Sequence, residues 1–218
     1  MYYPHVRDLF RQHGKPDIAQ GQMAYMRNQF EFFGLKMPQW TALSKAIIAE
    51  RGIPQGEALK ALVRECFADE HREMQYFGLQ IVEKSIRRQP EDFIDFLEEL
   101  ICTRSWWDTV DWIAKLVGMH LERYPQLRRP VCARWLASGN FWLQRVTLIF
   151  QLRYRDKTDA DLLFENIRQV AASKEFFLQK GAGWALRQYS KSNPEAVRQF
   201  IENTALAPLT KREGRKYL

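Results

Sequence analysis

Residues 90–126 read PEDFIDFLEELICTRSWWDTVDWIAKLVGMHLERYPQ. Apolar side chains recur in them at intervals of three and four, as in Phe93, Phe96, Leu97, Leu100 and Ile101, and again in Ile113, Leu116 and Val117. That spacing puts them on one face of each of two helices, 91–103 and 105–123. A shorter helix, a turn and a longer helix between two breaks make one helical hairpin. Breaks recur near Pro54, Pro90, Gln126, Asp159 and Pro194, at steps of 36, 36, 33 and 35 residues. A repeating unit of this length, built from two antiparallel helices, is the signature of an α-solenoid. The same reading predicts helices over 4–13, 17–30, 38–51, 55–68, 70–88, 126–138, 140–155, 159–172, 174–190 and 194–206, then a ragged tail. Period-two alternation is scarce, and no Asn-Gly or Asp-Gly hairpin signal occurs. The expected fold is therefore all-α, a single repeat domain over 1–218. One face of such a stack is lined by the same helix of every pair, here the longer helices 70–88, 105–123, 140–155 and 174–190. Residues that act together should come from those helices.

The chain has 218 residues, 46% of them hydrophobic and 27% charged, which is the balance of a folding chain and not of a disordered tail. Its net charge of +7 is uneven. Residues 1–102 hold 13 Lys+Arg against 15 Asp+Glu, and residues 103–218 hold 20 against 11. A basic second half suits an anionic partner, nucleic acid above all; scattered solubilising charge is the alternative. No window approaches 18 continuous apolar residues, so no membrane span is expected. Residues 1–10 carry His5, Arg7 and Asp8 where a signal peptide needs an apolar stretch. Cys66, Cys102 and Cys132 make no disulfide framework and read as reduced cysteines of a cytoplasmic protein. The four histidines show no metal-ligand spacing, and no phosphate loop is present.

The segment Arg104-Ser105-Trp106-Trp107-Asp108-Thr109-Val110-Asp111-Trp112 is the most unusual in the chain. Ser105 is the expected N-cap, with Asp108 completing a short-armed capping box. Trp107 and Asp111, four apart, share one helix face. They form either a site or a core Trp beside a carboxylate paired with a surface base. The next second helix opens Asn140-Phe141-Trp142-Leu143-Gln144-Arg145, with Asn140 as N-cap. Arg145 can hold a phosphate or pair with Asp111 across adjacent repeats. The fourth reads Lys180-Gly181-Ala182-Gly183-Trp184-Ala185-Leu186-Arg187. Each glycine inside a helix costs about 1 kcal/mol relative to alanine. The pair therefore implies a close approach, by a neighbouring helix or by a ligand.

These motifs, together with Tyr25-Met26-Arg27-Asn28-Gln29-Phe30, Lys157-Thr158-Asp159 and Glu175-Phe176-Phe177-Leu178-Gln179-Lys180, occur in order across nearly the whole chain. In that series the sequence resembles the AlkD family of HEAT-like-repeat DNA alkylpurine glycosylases. The resemblance implies a stack of HEAT-like helix pairs with a basic concave groove for duplex DNA. It implies hydrolysis of the N-glycosidic bond of cationic N3- or N7-alkylated purines, with the base left stacked instead of flipped into a pocket. It implies a catalytic carboxylate at Asp111, tryptophans facing the nucleotide sugar at Trp107 and Trp184, and DNA contacts from Arg145, Tyr25 and Arg187. The expected partner is double-stranded DNA carrying alkylated purines, met by a monomer in the cytoplasm at the nucleoid. No cofactor is expected, because a cationic purine is already a good leaving group, and no metal or membrane is expected from the histidine spacing and the short apolar runs. A non-catalytic DNA-binding repeat protein and a protein-interaction scaffold are the competing readings. The binder explains the charge but not Trp107, Asp111 and Trp184, and the scaffold explains the repeats but not the basic second half.

Overall fold

Several helices of this chain begin where a short polar side chain accepts from, or a proline removes, one of the first free N–H groups, as at Asn140, Asp159, Asn193, Pro16 and Pro208. The computed structural model describes residues 2–218. Its regular structure is thirteen α-helices with four short 3-10 turns, and the only strand-like feature among the described residues is a bridge between Glu31 and His71. The chain is an all-α solenoid of antiparallel helix pairs, and it divides into two compact units, Met1–Arg88 and Gln89–Leu218.

The first unit holds α1 (Tyr2–His13), α2 (Pro16–Tyr25), α3 (Met37–Arg51), α4 (Gly56–Ala68) and α5 (Arg72–Ser85). α3 packs on α1 and α5, and α4 lies along α5. The helix expected over 17–30 stops at Tyr25. Arg27 and Asn28 take left-handed φ values of 56° and 55°, and the Asn28 N–H turns back to the Met23 carbonyl at 2.8 Å. Irregular chain then runs to α3. Its buried N–H groups need acceptors, and Glu73 of α5 supplies them, accepting from Phe33, Gly34 and Leu35 at 3.1, 2.9 and 3.1 Å. Gly34 has a φ of +91°, and a Cβ there would lie 2.0 Å from the Lys15 carbonyl oxygen, so only glycine fits.

The second unit holds α6 (Phe93–Cys102), α7 (Trp107–Arg123), α8 (Arg128–Ala137), α9 (Phe141–Ile149), α10 (Ala160–Val170), α11 (Phe176–Tyr189), α12 (Pro194–Glu202) and α13 (Pro208–Gly214). Within it α7, α9, α11 and α13 pack in succession as one layer. Behind them, α6 packs on α7 and α9, α8 and α10 pack on each other and on α9, and α12 packs on α11 and α13. The expected N-cap Asn140, the expected break at Asp159, and Asn193 just before the expected break at Pro194 are real caps. Asn140, Asp159 and Asn193 accept from the backbone N–H groups of Trp142, Leu162 and Ala196 at 2.9, 3.0 and 3.0 Å. The helix expected over 140–155 ends earlier, at Ile149. The Phe150 carbonyl presses on Gly118, where a Cβ would lie 2.3 Å away, and the Tyr154 hydroxyl donates to the Gly118 carbonyl at 2.7 Å. These long-range contacts with α7 set the break. Residues 208–214, expected as part of a ragged tail, form α13.

Candidate active site

The site grows from the N-terminal turns of α7, α9 and α11. α7 opens on Trp106, not on Ser105 as expected. The Ser105 hydroxyl donates backward to the Ile101 carbonyl at 2.6 Å, closing the end of α6, so it does not cap α7 and no capping box with Asp108 forms. Trp106 takes the extended cap conformation because its indole is held elsewhere. It meets Trp142 edge-on at 5.9 Å and Phe177 at 5.5 Å. Phe177 in turn stacks with Phe141 at 6.3 Å and 8°. Such pairs stabilise by about 0.5–1.5 kcal/mol beyond simple burial, enough to override a serine cap. Aromatic doublets Trp106-Trp107, Phe141-Trp142 and Phe176-Phe177 are 35 residues apart, so the repeat builds one aromatic cluster across three helix starts.

Counting from each cap, Asp111, Arg145 and Lys180 occupy the same position of α7, α9 and α11. The structure realises the pairing alternative for Arg145. Its Nε donates to Asp111 Oδ1 at 2.8 Å and its Nη2 to Oδ2 at 2.9 Å, a two-pronged contact, while Nη1 donates to the Phe177 carbonyl. Arg145 is 5% exposed, and the Asp111 side chain keeps 20% of its surface open. A guanidinium this deep requires a carboxylate, since an unpaired buried charge is strongly destabilising. Burial pushes the Asp111 carboxyl above its ordinary value; Arg145 pulls against that shift, and neighbouring Asp108 adds to it. The carboxylate is thus held in one orientation and largely desolvated, with a fifth of its side-chain surface left exposed.

α11 explains its glycines one by one. A Cβ on Gly181 would stand 3.1 Å from Arg145 Nη1, so this glycine makes room for the guanidinium. A Cβ on Gly183 would stand 2.5 Å from the Glu213 Cβ, so that glycine lets α13 close on α11. At 100° per residue, Gly181 and Gly183 lie on opposite flanks of α11. Trp184 falls between them on the face carrying Lys180 and Arg187. Trp184 and Trp107 are both half-buried, and Trp107 lies one turn before Asp111.

The six residues singled out from the sequence thus have distinct settings. Asp111 and Arg145 are in direct contact. Trp107 and Trp184 sit within a turn of the groups that make this contact or border it. Arg187 donates from Nη1 to Glu213 Oε2 at 2.9 Å. Tyr25 belongs to the first unit, at the end of α2, and is 70% exposed. A cavity lined by Leu148, Gln151, Thr158, Leu163, Ala185 and Tyr189 includes none of them. Sequence reasoning missed Phe177, whose carbonyl completes the cradle of Arg145, and Glu213. The 35-residue spacing of aromatic doublets was the available signal for the first, and Ala207-Pro208 ahead of Lys211-Arg212, a helix start and a basic end, for the second. Among the described residues no cluster of His, Cys, Asp and Glu is arranged to hold a metal ion, and no helix is long and apolar enough to cross a membrane.

Helix pairs in series, bearing on one second helix an oriented and partly exposed carboxylate, define a helical-repeat protein with an acidic site. The chain matches the DNA alkylation repair enzyme family over residues 6–218, and it belongs to that family. It is similar to a solved structure described as a predicted DNA alkylation repair enzyme from Enterococcus faecalis, with 34% identity over 94% of this chain and 96% of the other and a TM-score of 0.88. The smu.31 protein of Streptococcus mutans UA159 shares the fold, at 14% identity over the full length of both chains and a TM-score of 0.67. No protein of curated function matches.

Proposed function

We propose that the chain is a monofunctional DNA glycosylase that releases cationic N3- or N7-alkylated purines from duplex DNA and so begins base excision repair. In this reading residues 1–218 act as one HEAT-like array, a monomer whose basic concave groove receives the duplex. The observation that carries it is the Asp111–Arg145 pair, a carboxylate held by both oxygens at 2.8 and 2.9 Å and still partly exposed. The family to which the chain belongs supports the substrate class.

Alkylation at N3 or N7 leaves a positive charge on the purine, so the glycosidic bond breaks with its electron pair neutralising the base, and no acid is needed. The charge passes to the sugar as an oxocarbenium-like centre. Asp111 would face that centre, and water would add at the anomeric carbon, its proton leaving to Asp111 or to solvent. A preoriented carboxylate acts mainly in the transition state, where the charge develops. Arg145 is a positioning residue here: it keeps Asp111 ionised against desolvation and fixes its direction. The indoles of Trp107 and Trp184 would add cation–π attraction, about 1–2 kcal/mol each when desolvated. Arg187 would contact the phosphate backbone and Tyr25 would brace the duplex. β-Lyase chemistry needs an amine nucleophile, and none stands in this set.

The test is release of free 7-methylguanine from methylated duplex DNA, run beside a uracil-containing duplex. Release of 7-methylguanine without uracil supports the proposal. Binding without release would leave a non-catalytic DNA-binding repeat protein, and efficient uracil release would indicate a conventional base pocket.

A further inference from the structure

Beside Trp184, on the flank away from Arg145, one carboxylate gathers three cations. Glu213 of α13 accepts from Lys180 Nζ at 3.2 Å through Oε1, and from Arg187 Nη1 and Lys216 Nζ at 2.9 Å each through Oε2. The acid lies underneath and the bases on top. The Glu213 side chain is 7% exposed, whereas those of Lys180, Lys216 and Arg187 are 39%, 48% and 24% exposed. One negative charge among three positive ones leaves a surplus near +2 on the solvent side. The surrounding chain adds Lys211, Arg212 and Arg215 within α13 and the turn after it, with Glu213 the only acid between Lys211 and Leu218. Lys180, Trp184 and Arg187 share one face of α11, so the cluster continues the surface that carries the proposed site.

We propose that Lys180, Arg187 and Lys216, held in register by Glu213, form a phosphodiester-binding clamp that grips the DNA backbone next to the nucleotide under attack. The clamp rests on the proposed action on DNA and extends it to α13, which no reading of the repeats includes. Glu213 is a positioning residue. Lysine heads on flexible stems lose entropy when a ligand orders them, and a buried carboxylate that orders them beforehand removes that loss. Gly183 is what allows it, since any Cβ there would displace Glu213 from beneath the cluster.

The experiment measures affinity for an undamaged duplex as a function of salt, together with release of 7-methylguanine from methylated duplex by the wild-type chain. Removing two phosphate contacts with the double variant Lys180→Ala, Lys216→Ala should weaken duplex binding about tenfold or more and flatten the salt slope by roughly 2. Arg198→Ala, an exposed cation on α12 paired with Glu195, serves as the charge control and should leave affinity within about twofold. Glu213→Gln separates the proposal from charge counting: subtracting an acid from a DNA-facing surface should tighten binding, whereas loss of the positioning group should weaken it. If the double variant matches Arg198→Ala, or if a folded Glu213→Gln binds more tightly than wild type, the clamp is overturned. If wild type releases 7-methylguanine while the variants bind normally, the glycosylase reading survives and the clamp alone fails. If wild type binds duplex and releases nothing while the variants bind weakly, the clamp stands and the glycosylase reading fails.

Discussion

Replacing Asp111 by Asn keeps the size of the side chain and removes its charge. A carboxylate about 4 Å from an oxocarbenium-like sugar stabilises it by about 4 kcal/mol at an effective dielectric of 20. Arg145 sits directly behind that carboxylate, at 2.8 and 2.9 Å, so its charge lies about 8 Å from the sugar and opposes it by about 2 kcal/mol. The wild-type pair therefore favours the transition state by about 2 kcal/mol, and the variant, left with Arg145 alone, disfavours it by the same amount. The difference of about 4 kcal/mol corresponds to about a thousandfold in rate. The substitution also strands a guanidinium that is 5% exposed. With one amide oxygen still able to accept, the destabilisation should be about 3 kcal/mol, at the low end for a broken buried pair, which lowers the melting temperature by about 10 °C. DNA affinity should hold or increase, because the site gains a positive charge. The assay is single-turnover release of 7-methylguanine well below the melting point, with a thermal scan and an undamaged-duplex titration on the same preparation. Wild-type release by the folded variant would refute the role of Asp111. A parallel loss of rate and affinity would refute the claim that the pair acts on the transition state and not on binding.

Alanine at Trp107 or Trp184 should slow excision by roughly ten- to a hundredfold if each indole supplies about 1–3 kcal/mol to the cationic transition state; single-turnover rates on 7-methylguanine decide it. Gly183→Ala should destabilise by about 1–3 kcal/mol despite its better helix propensity, because the Cβ arrives 2.5 Å from the Glu213 Cβ and α13 must move. Urea unfolding would show this as a shifted midpoint. Asn140→Ala, which removes the cap accepting from Trp142 N–H at 2.9 Å, should cost about 1 kcal/mol in the same assay.

Much of the second unit was legible because its determinants are local. Asn140, Asp159 and Asn193-Pro194 announce helix starts by chemistry within three residues, and the caps form as their side chains require. Ser105 looked equally competent, yet the aromatic contacts of Trp106 with Trp142 and Phe177, 36 and 71 residues away, accompany a cap one residue later, at Trp106. The early end of α9 has the same long-range origin, packing against Gly118, whereas α2 ends in a local left-handed turn at Arg27-Asn28 that the apolar spacing does not show. Arg145 carried two readings because phosphate contact and pairing with Asp111 demand the same residue at the same position; only burial distinguishes them. α13 was missed because seven residues are too few to show a helical period, and Glu213 because two of its three partners, Lys180 and Arg187, come from α11, more than 25 residues back along the chain.

The acid side of the pH dependence of single-turnover 7-methylguanine release tests the central claim most directly, since the leaving group keeps its positive charge throughout that range. Burial raises the Asp111 carboxyl above its ordinary value. The sign follows from that direction: the protonated form gains ground in the folded chain at a higher pH than in a free aspartate, so excision, which needs the ionised form, is lost as pH falls through the raised value. The account predicts an acid limb above the ordinary aspartate range of about 3.9 in the wild type, and its disappearance in Asp111→Asn. A rate that stays flat through that interval, or the same limb persisting in Asp111→Asn, would contradict it.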